Sequence, residues 1–219
     1  MDKTFIIDEE RKQRIGFDEV IYGASKSVAL LKNILKEYSD KNENVLVTKL
    51  QEDKAKVLLK IYKNAFYETD SGIFTLANIK IEENGSAKVG IISAGSSDIG
   101  VANEAYYTLS YMGVQSRIIH DVGVAGLHRL LNKLEELKTF DVLIVVAGFE
   151  GALPTVIGGL LPQPIIGVPT SVGYGSAKEG ETALHAMLTS CANGITVVNI
   201  DNGYGAAMSA FRMIKLLNK

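Results

Sequence analysis

The chain has no tryptophan, a single cysteine and only four prolines in 219 residues. One thiol excludes an intrachain disulfide and a cysteine-rich zinc site, and a lone Cys191 suits a reducing compartment. A dominant charge is missing as well. The formal net charge is -2 and the pI is near 6.0, which supplies no broad field for nucleic acid, and no basic run interleaves with aromatics. No stretch is apolar and long enough to span a bilayer, and Met1 to Arg14 lacks the apolar segment of a signal peptide. The expectation is a cytoplasmic protein that docks on neither nucleic acid nor membrane.

What is present is the balance of a globular protein, 47% hydrophobic and 22% charged with both signs mixed. The length exceeds one comfortable core, so two parts are expected. Residues 1–84 are rich in Lys, Glu, Asp and Asn. Helical patterns at Ser25 to Glu37 and Gln51 to Ile61 surround one short strand, Asn44 to Thr48, which predicts a small α+β lobe. The polar turn Asn84-Gly85-Ser86 is the expected linker.

Residues 85–219 change in character. Five short apolar runs (Val89 to Ile92, Ser116 to Ile119, Val142 to Val146, Ile165 to Val168, Ile195 to Val198) read as buried parallel strands. Stretches with helical spacing lie between and after them: Val101 to Met112, Gly123 to Leu137, Thr155 to Leu160, Ala177 to Ser190 and Gly205 to Leu217. Alternation of this kind gives right-handed βαβ units. The predicted class is α/β, a flavodoxin-like doubly wound parallel sheet preceded by the small lobe. Ligands of such sheets sit beyond the carboxyl ends of the strands, where the strand order reverses.

The strand-to-helix loops are small, polar or glycine-rich. In the first, Gly95 allows close backbone approach, Ser96 and Ser97 offer hydroxyls, and the helix that follows aims N–H groups at an anion. This is a phosphate cradle or, on the plainer reading, helix capping by Ser96, Ser97 and Asp98. His120 and Asp121 end the second strand as a capping pair or a substrate clamp, whereas His128 and His185 fall inside helical patterns as structural residues. Gly148 and Gly151 flank Glu150, a carboxylate on a loop with no apolar packing role and hence a candidate acid or base or, on the plainer reading, a solvated surface glutamate. Pro169 to Ser176, with Gly173, and Asp201 to Gly205, with Asn202 and Gly203, complete the rim. Cys191, between a helix and the last strand, is by default a small inert residue. Its neighbours Ser190, Ala192, Asn193 and Gly194 nevertheless give it little apolar cover.

Read together, VGIISAGSSDIGVANE (Val89 to Glu104), VVAGFEGALP (Val145 to Pro154) and IGVPTSVGYG (Ile166 to Gly175) resemble the PurE family, which forms or rearranges carboxyaminoimidazole ribonucleotide. The resemblance is closer to the LarB family, the carboxylases of nickel-pincer cofactor biosynthesis, which carry a PurE-like C-terminal domain after an N-terminal extension. RIGFDEVIYG (Arg14 to Gly23), Ser190-Cys191-Ala192 and NIDNGYGAA (Asn199 to Ala207) resemble further parts of that family, so the likeness covers nearly the whole chain. PurE proteins have a Ser-Ala-His-Arg loop after the second strand. Here stands Ile119-His120-Asp121-Val122-Gly123, a departure that argues against the PurE substrate.

The resemblance implies carboxylation of nicotinic acid adenine dinucleotide at carbon five of its pyridinium ring by carbon dioxide or bicarbonate. Hydrolysis of the phosphoanhydride then releases AMP and gives pyridinium-3,5-biscarboxylic acid mononucleotide. It implies Cys191 as nucleophile, Glu150 as base, and Mg²⁺ at the phosphates with no assigned protein ligands. Gly95, Ser96, Ser97, Asp98, His120, Asp121, Gly148, Gly151, Gly173, Asn202 and Gly203 would hold the dinucleotide, with Gly23 to Ser27 touching its remainder. A homo-oligomer, an octamer by likeness to PurE, is implied too. The alternatives are a PurE-type aminoimidazole ribonucleotide carboxylase or mutase, with His120 moving the proton, and a non-catalytic nucleotide-binding module.

Overall fold

The computed structural model describes residues 5–8, 10–79 and 88–217, and the chain divides into two compact units, Met1–Lys80 and Ile81–Lys219. The expected linker Asn84-Gly85-Ser86 lies outside the described residues.

In the first unit, α1 (Arg11–Ile15) leads to β1 (Val20–Tyr22), α2 (Val28–Asp40), β2 (Leu46–Thr48), α3 (Glu52–Ile61), β3 (Phe66–Glu68) and β4 (Ile73–Thr75). Ser27 starts α2, its hydroxyl accepting from the Leu30 N–H, and Leu31, Ile34, Leu35 and Tyr38 recur on the buried face. The expectation of one strand is corrected. The sheet has four, in the order β1-β2-β4-β3 with only the first pair parallel. Each strand is three residues long, too short to display the two-residue alternation that reveals strands in sequence.

The second unit has the expected doubly wound architecture. Strands β5 (Val89–Ser93), β6 (Ser116–Ile119), β7 (Val142–Ala147), β8 (Ile165–Pro169) and β9 (Ile195–Val197) form one parallel sheet ordered β6-β5-β7-β8-β9. Every residue of β5, β7 and β8 is buried, as befits strands covered on both faces. Helices α4 (Ile99–Tyr111) and α9 (Gly203–Leu217) pack on each other against one face. The helices α5 (Leu127–Leu131), α6 (Leu134–Leu137), α7 (Leu153–Leu160) and α8 (Glu181–Leu188) follow the other loops. Of these, α7 and α8 bury Leu153, Ile157 and Met187 against Leu143, Val145 and Ile165.

Two helices differ from expectation. The single helix predicted over Gly123 to Leu137 is a short 3-10 turn, Val124–Gly126, followed by α5 and α6. The N–H of Lys133 bonds back to Leu130 O, a tightened turn that ends α5. The helix predicted from Ala177 begins only at Glu181, because Lys178, Glu179 and Gly180 take left-handed φ values of 47°, 55° and 97°.

Candidate active site

The chain leaves β5 to one side for β6 and then crosses to β7 on the other, so the strand order reverses between β5 and β7. In sheets of this kind the loops following two such strands diverge and leave a crevice for ligands. Here those loops carry Gly95 to Asp98 and Gly148 to Gly151.

All five carboxyl-end loops are tied to a neighbour. Ser93 Oγ and His120 Nδ1 share a hydrogen bond of 3.0 Å, and Val122 N–H donates to Ser93 O. Gly123 sits where a Cβ would lie 2.7 Å from Ala94 O, so the first two loops touch through bare backbone. The Phe149 N–H donates to Val172 O at 2.8 Å, joining the loops after β7 and β8. A Cβ on Gly148 would stand 2.5 Å from Val172 O and 2.6 Å from Thr170 Oγ1. Ser171 N–H donates to Asp201 Oδ1 at 2.9 Å, which ties in the loop after β9.

Asp98 is nearly wholly buried and its oxygens are occupied. Oδ2 accepts from the Gly95 N–H at 2.9 Å and Oδ1 from the Thr170 hydroxyl at 2.7 Å. Burial is the main force that holds this carboxyl above its ordinary value, opposed by the Thr170 and Gly95 hydrogen bonds and reinforced by the charge of Asp201. The carboxylate thus fastens the first loop to the β8 loop. Ser96 and Ser97 are exposed beside it.

His120 and Asp121 are exposed, and Arg129 makes a short ion pair with Asp121, whose φ is 58°. Glu150 is exposed and its side chain enters no hydrogen bond or ion pair with another described residue. Gly151 is buried at φ 64° against Ala183, and Gly173 has φ 140° with Ala177 against it. Asn202 caps α9, its Oδ1 accepting from Gly205 N–H at 2.7 Å. Gly203 is buried where a side chain would strike Val101 O and Glu104, so its small size serves the contact of α9 with α4.

Cys191 is exposed, in the turn between α8 and β9. It precedes a strand, whereas the other residues of the rim follow theirs. The turn lies at the amino ends of the strands, so the structure does not bring Cys191 together with the carboxyl-end loops; its segment is tied to α7, where Ser190 Oγ shares a 2.6 Å hydrogen bond with Thr155 Oγ1 and accepts from Ala192 N–H. In the first unit, the Gly23 and Ala24 carbonyls are taken by the Lys54 ammonium at 3.3 and 2.7 Å.

The buried partners Ser93 and Thr170 escape sequence reasoning because a hydroxyl at the end of an apolar strand carries no motif. Among the described residues no cluster of three or more His, Cys, Asp or Glu is placed to hold a metal ion, and each Asp98 oxygen already accepts a hydrogen bond. These residues do not form a cage for Mg²⁺. No described helix is long and apolar enough to cross a membrane.

Comparison with known proteins gives this geometry a lineage. Residues 88–219 match the family model described as AIR carboxylase, and residues 3–78 match the LarB/PurE-like N-terminal domain. The chain belongs to the LarB family. An uncharacterised protein of Methanocaldococcus jannaschii is 42% identical over the whole LarB-family chain and 87% of its own length. The N5-carboxyaminoimidazole ribonucleotide mutase of Pyrococcus horikoshii is 32% identical over 58% of this chain and 71% of its own. A crystal structure of a PurE variant from Treponema denticola superposes with a TM-score of 0.50 at 22% identity, over 58% of this chain and 79% of its own, a likeness of fold. The chain thus sits in a superfamily of LarB- and PurE-like carboxylases and mutases.

Proposed function

We propose that this LarB-family protein carboxylates the pyridinium ring of nicotinic acid adenine dinucleotide at carbon five and cleaves the phosphoanhydride to release AMP. The product is pyridinium-3,5-biscarboxylic acid mononucleotide, as nickel-pincer cofactor synthesis requires. The observation that carries the reading is the exposed thiol of Cys191, the chain's sole cysteine, on a segment bonded to the first turn of the helix that the Glu150 loop enters.

A pyridinium ring is electron-poor and does not attack carbon dioxide. Addition of the Cys191 thiolate to the ring forms a C–S bond and an enamine, whose β carbon attacks carbon dioxide or the species that bicarbonate supplies. The proton on carbon five then passes to a base and the C–S electron pair returns to sulfur, restoring aromaticity. Glu150, exposed on the loop after β7 and without a partner among the described residues, is that base. Water cleaves the phosphoanhydride. Mg²⁺ would arrive on the phosphates, holding most of its own waters, and no step here is assigned to it. Ser96, Ser97 and the backbone of the glycine loops suit the phosphate and ribose. A homo-oligomer is part of the same proposal.

The test is incubation with nicotinic acid adenine dinucleotide, labelled bicarbonate and Mg²⁺, followed by mass spectrometry for AMP and an added carboxylate. Absence of label transfer overturns the reading. The ordered His120 imidazole favours a second reading, a PurE-type mutase, under which Cys191→Ala keeps full turnover of an aminoimidazole ribonucleotide and His120→Gln abolishes it.

A further inference from the structure

We propose that Phe149 and Tyr174 form an aromatic corner that receives the face of a flat, positively charged ring, with the Glu150 carboxylate supplying the opposing charge beside it. The rings meet edge to face, with centroids 5.8 Å apart and planes at 87°. They come from the loops after β7 and β8, at the crevice side of the sheet. An edge-to-face contact uses one face of one ring, so the remaining faces stay open to a third ring. Phe149 is 47% exposed and Tyr174 83% exposed, the reverse of what packing would do with two large apolar side chains.

The backbone is built to hold them there. Phe149 has φ 51°, a left-handed conformation that a bulky residue adopts at a cost, and it is fixed by its N–H bond to Val172 O. Tyr174 lies between Gly173 at φ 140° and Gly175 at φ 58°. Strain spent on presenting an apolar ring to solvent marks a surface with a ligand.

The occupant follows from charge. Glu150 is the next residue after Phe149 and its side chain has no partner among the described residues. Negative ring faces beside an uncompensated carboxylate attract a cation, and a planar aromatic cation fits both features. This deepens the preceding reading, on which it rests for the ring's identity as a pyridinium.

The experiment is calorimetric titration of the full chain with nicotinic acid mononucleotide, whose ring is the cation, and with ribose 5-phosphate, which lacks the ring. Phe149→Leu and Tyr174→Leu are expected to weaken mononucleotide binding by about tenfold each while leaving ribose 5-phosphate binding unchanged, and Tyr174→Phe is expected to retain binding. Subunit number is followed by light scattering. Leucine variants that bind the mononucleotide as the parent does overturn the proposal, and a changed subunit number with unchanged binding assigns the pair to an interface instead. The two readings fail separately. Ring binding that depends on the pair without any carboxylation defeats only the reaction, and carboxylation with pair-independent binding defeats only the aromatic corner.

Discussion

Ser93 and His120 share a 3.0 Å hydrogen bond in which the serine is wholly buried at the end of β5 and the imidazole is exposed past the end of β6. The bond uses Nδ1, so it fixes the ring's orientation and turns Nε2 outward as the nitrogen left for a ligand. Ser93→Ala keeps the packing and removes only the bond. The expected loss is about fivefold in kcat/KM, equivalent to the roughly 1 kcal/mol net worth of one such bond, with little change in melting temperature. Steady-state kinetics beside a thermal melt checks it, and unchanged kinetics would show that the bond serves stability alone.

Asp98 makes stability depend on pH in a definite direction. Its folded-state pKa is raised above the ordinary 3.8, chiefly by burial. Its contribution is therefore fully present below the unfolded value and is lost as pH rises through the folded one. Asp98→Asn removes that dependence. The unfolding free energy of the variant, measured by urea denaturation and taken relative to the parent, should rise with pH across this acid window. Parallel curves would contradict the assignment.

Gly148→Ala places a methyl 2.5 Å from Val172 O and 2.6 Å from Thr170 Oγ1. Neither neighbour is a flexible tip, since one is backbone and the other holds Asp98. A loss of about 1 to 3 kcal/mol of stability is expected, together with reduced turnover as the Phe149–Val172 bond is displaced. Chemical denaturation measures the first and the labelled-bicarbonate assay the second.

Cys191→Ala is expected to lower carboxylation about a thousandfold or more while the melting temperature holds, because the side chain is exposed. Iodoacetamide should label the parent at this one site, and nicotinic acid adenine dinucleotide should slow the labelling. Labelling indifferent to the dinucleotide would separate the thiol from the substrate.

Much of the second unit was legible because its three central strands are apolar runs buried at every position, whereas the border strands β6 and β9 are only partly buried. Val142 to Val146 is buried at every position, as a short β-branched apolar run is in a strand covered on both faces. The loops could be ordered from the strands, and the exposure of Cys191 agreed with its polar neighbours. What stayed hidden was whatever depended on a partner distant in sequence. Nothing around Asp98 announces that Thr170 occupies it, and the late start of α8 rests on Lys178 and Glu179, ordinary helix formers turned left-handed by their surroundings. The lobe strands were hidden by brevity, each being a three-residue piece stabilised by neighbours.

The two outermost strands of the parallel sheet carry a last consequence. One border is β9, three residues long with Thr196 exposed. The other is β6, where exposed Arg117 is paired with Glu136 at 3.2 Å. Short borders guarded by a charge resist the addition of a foreign strand. Copies of this chain would therefore associate through helix and loop surfaces and leave each sheet closed at five strands.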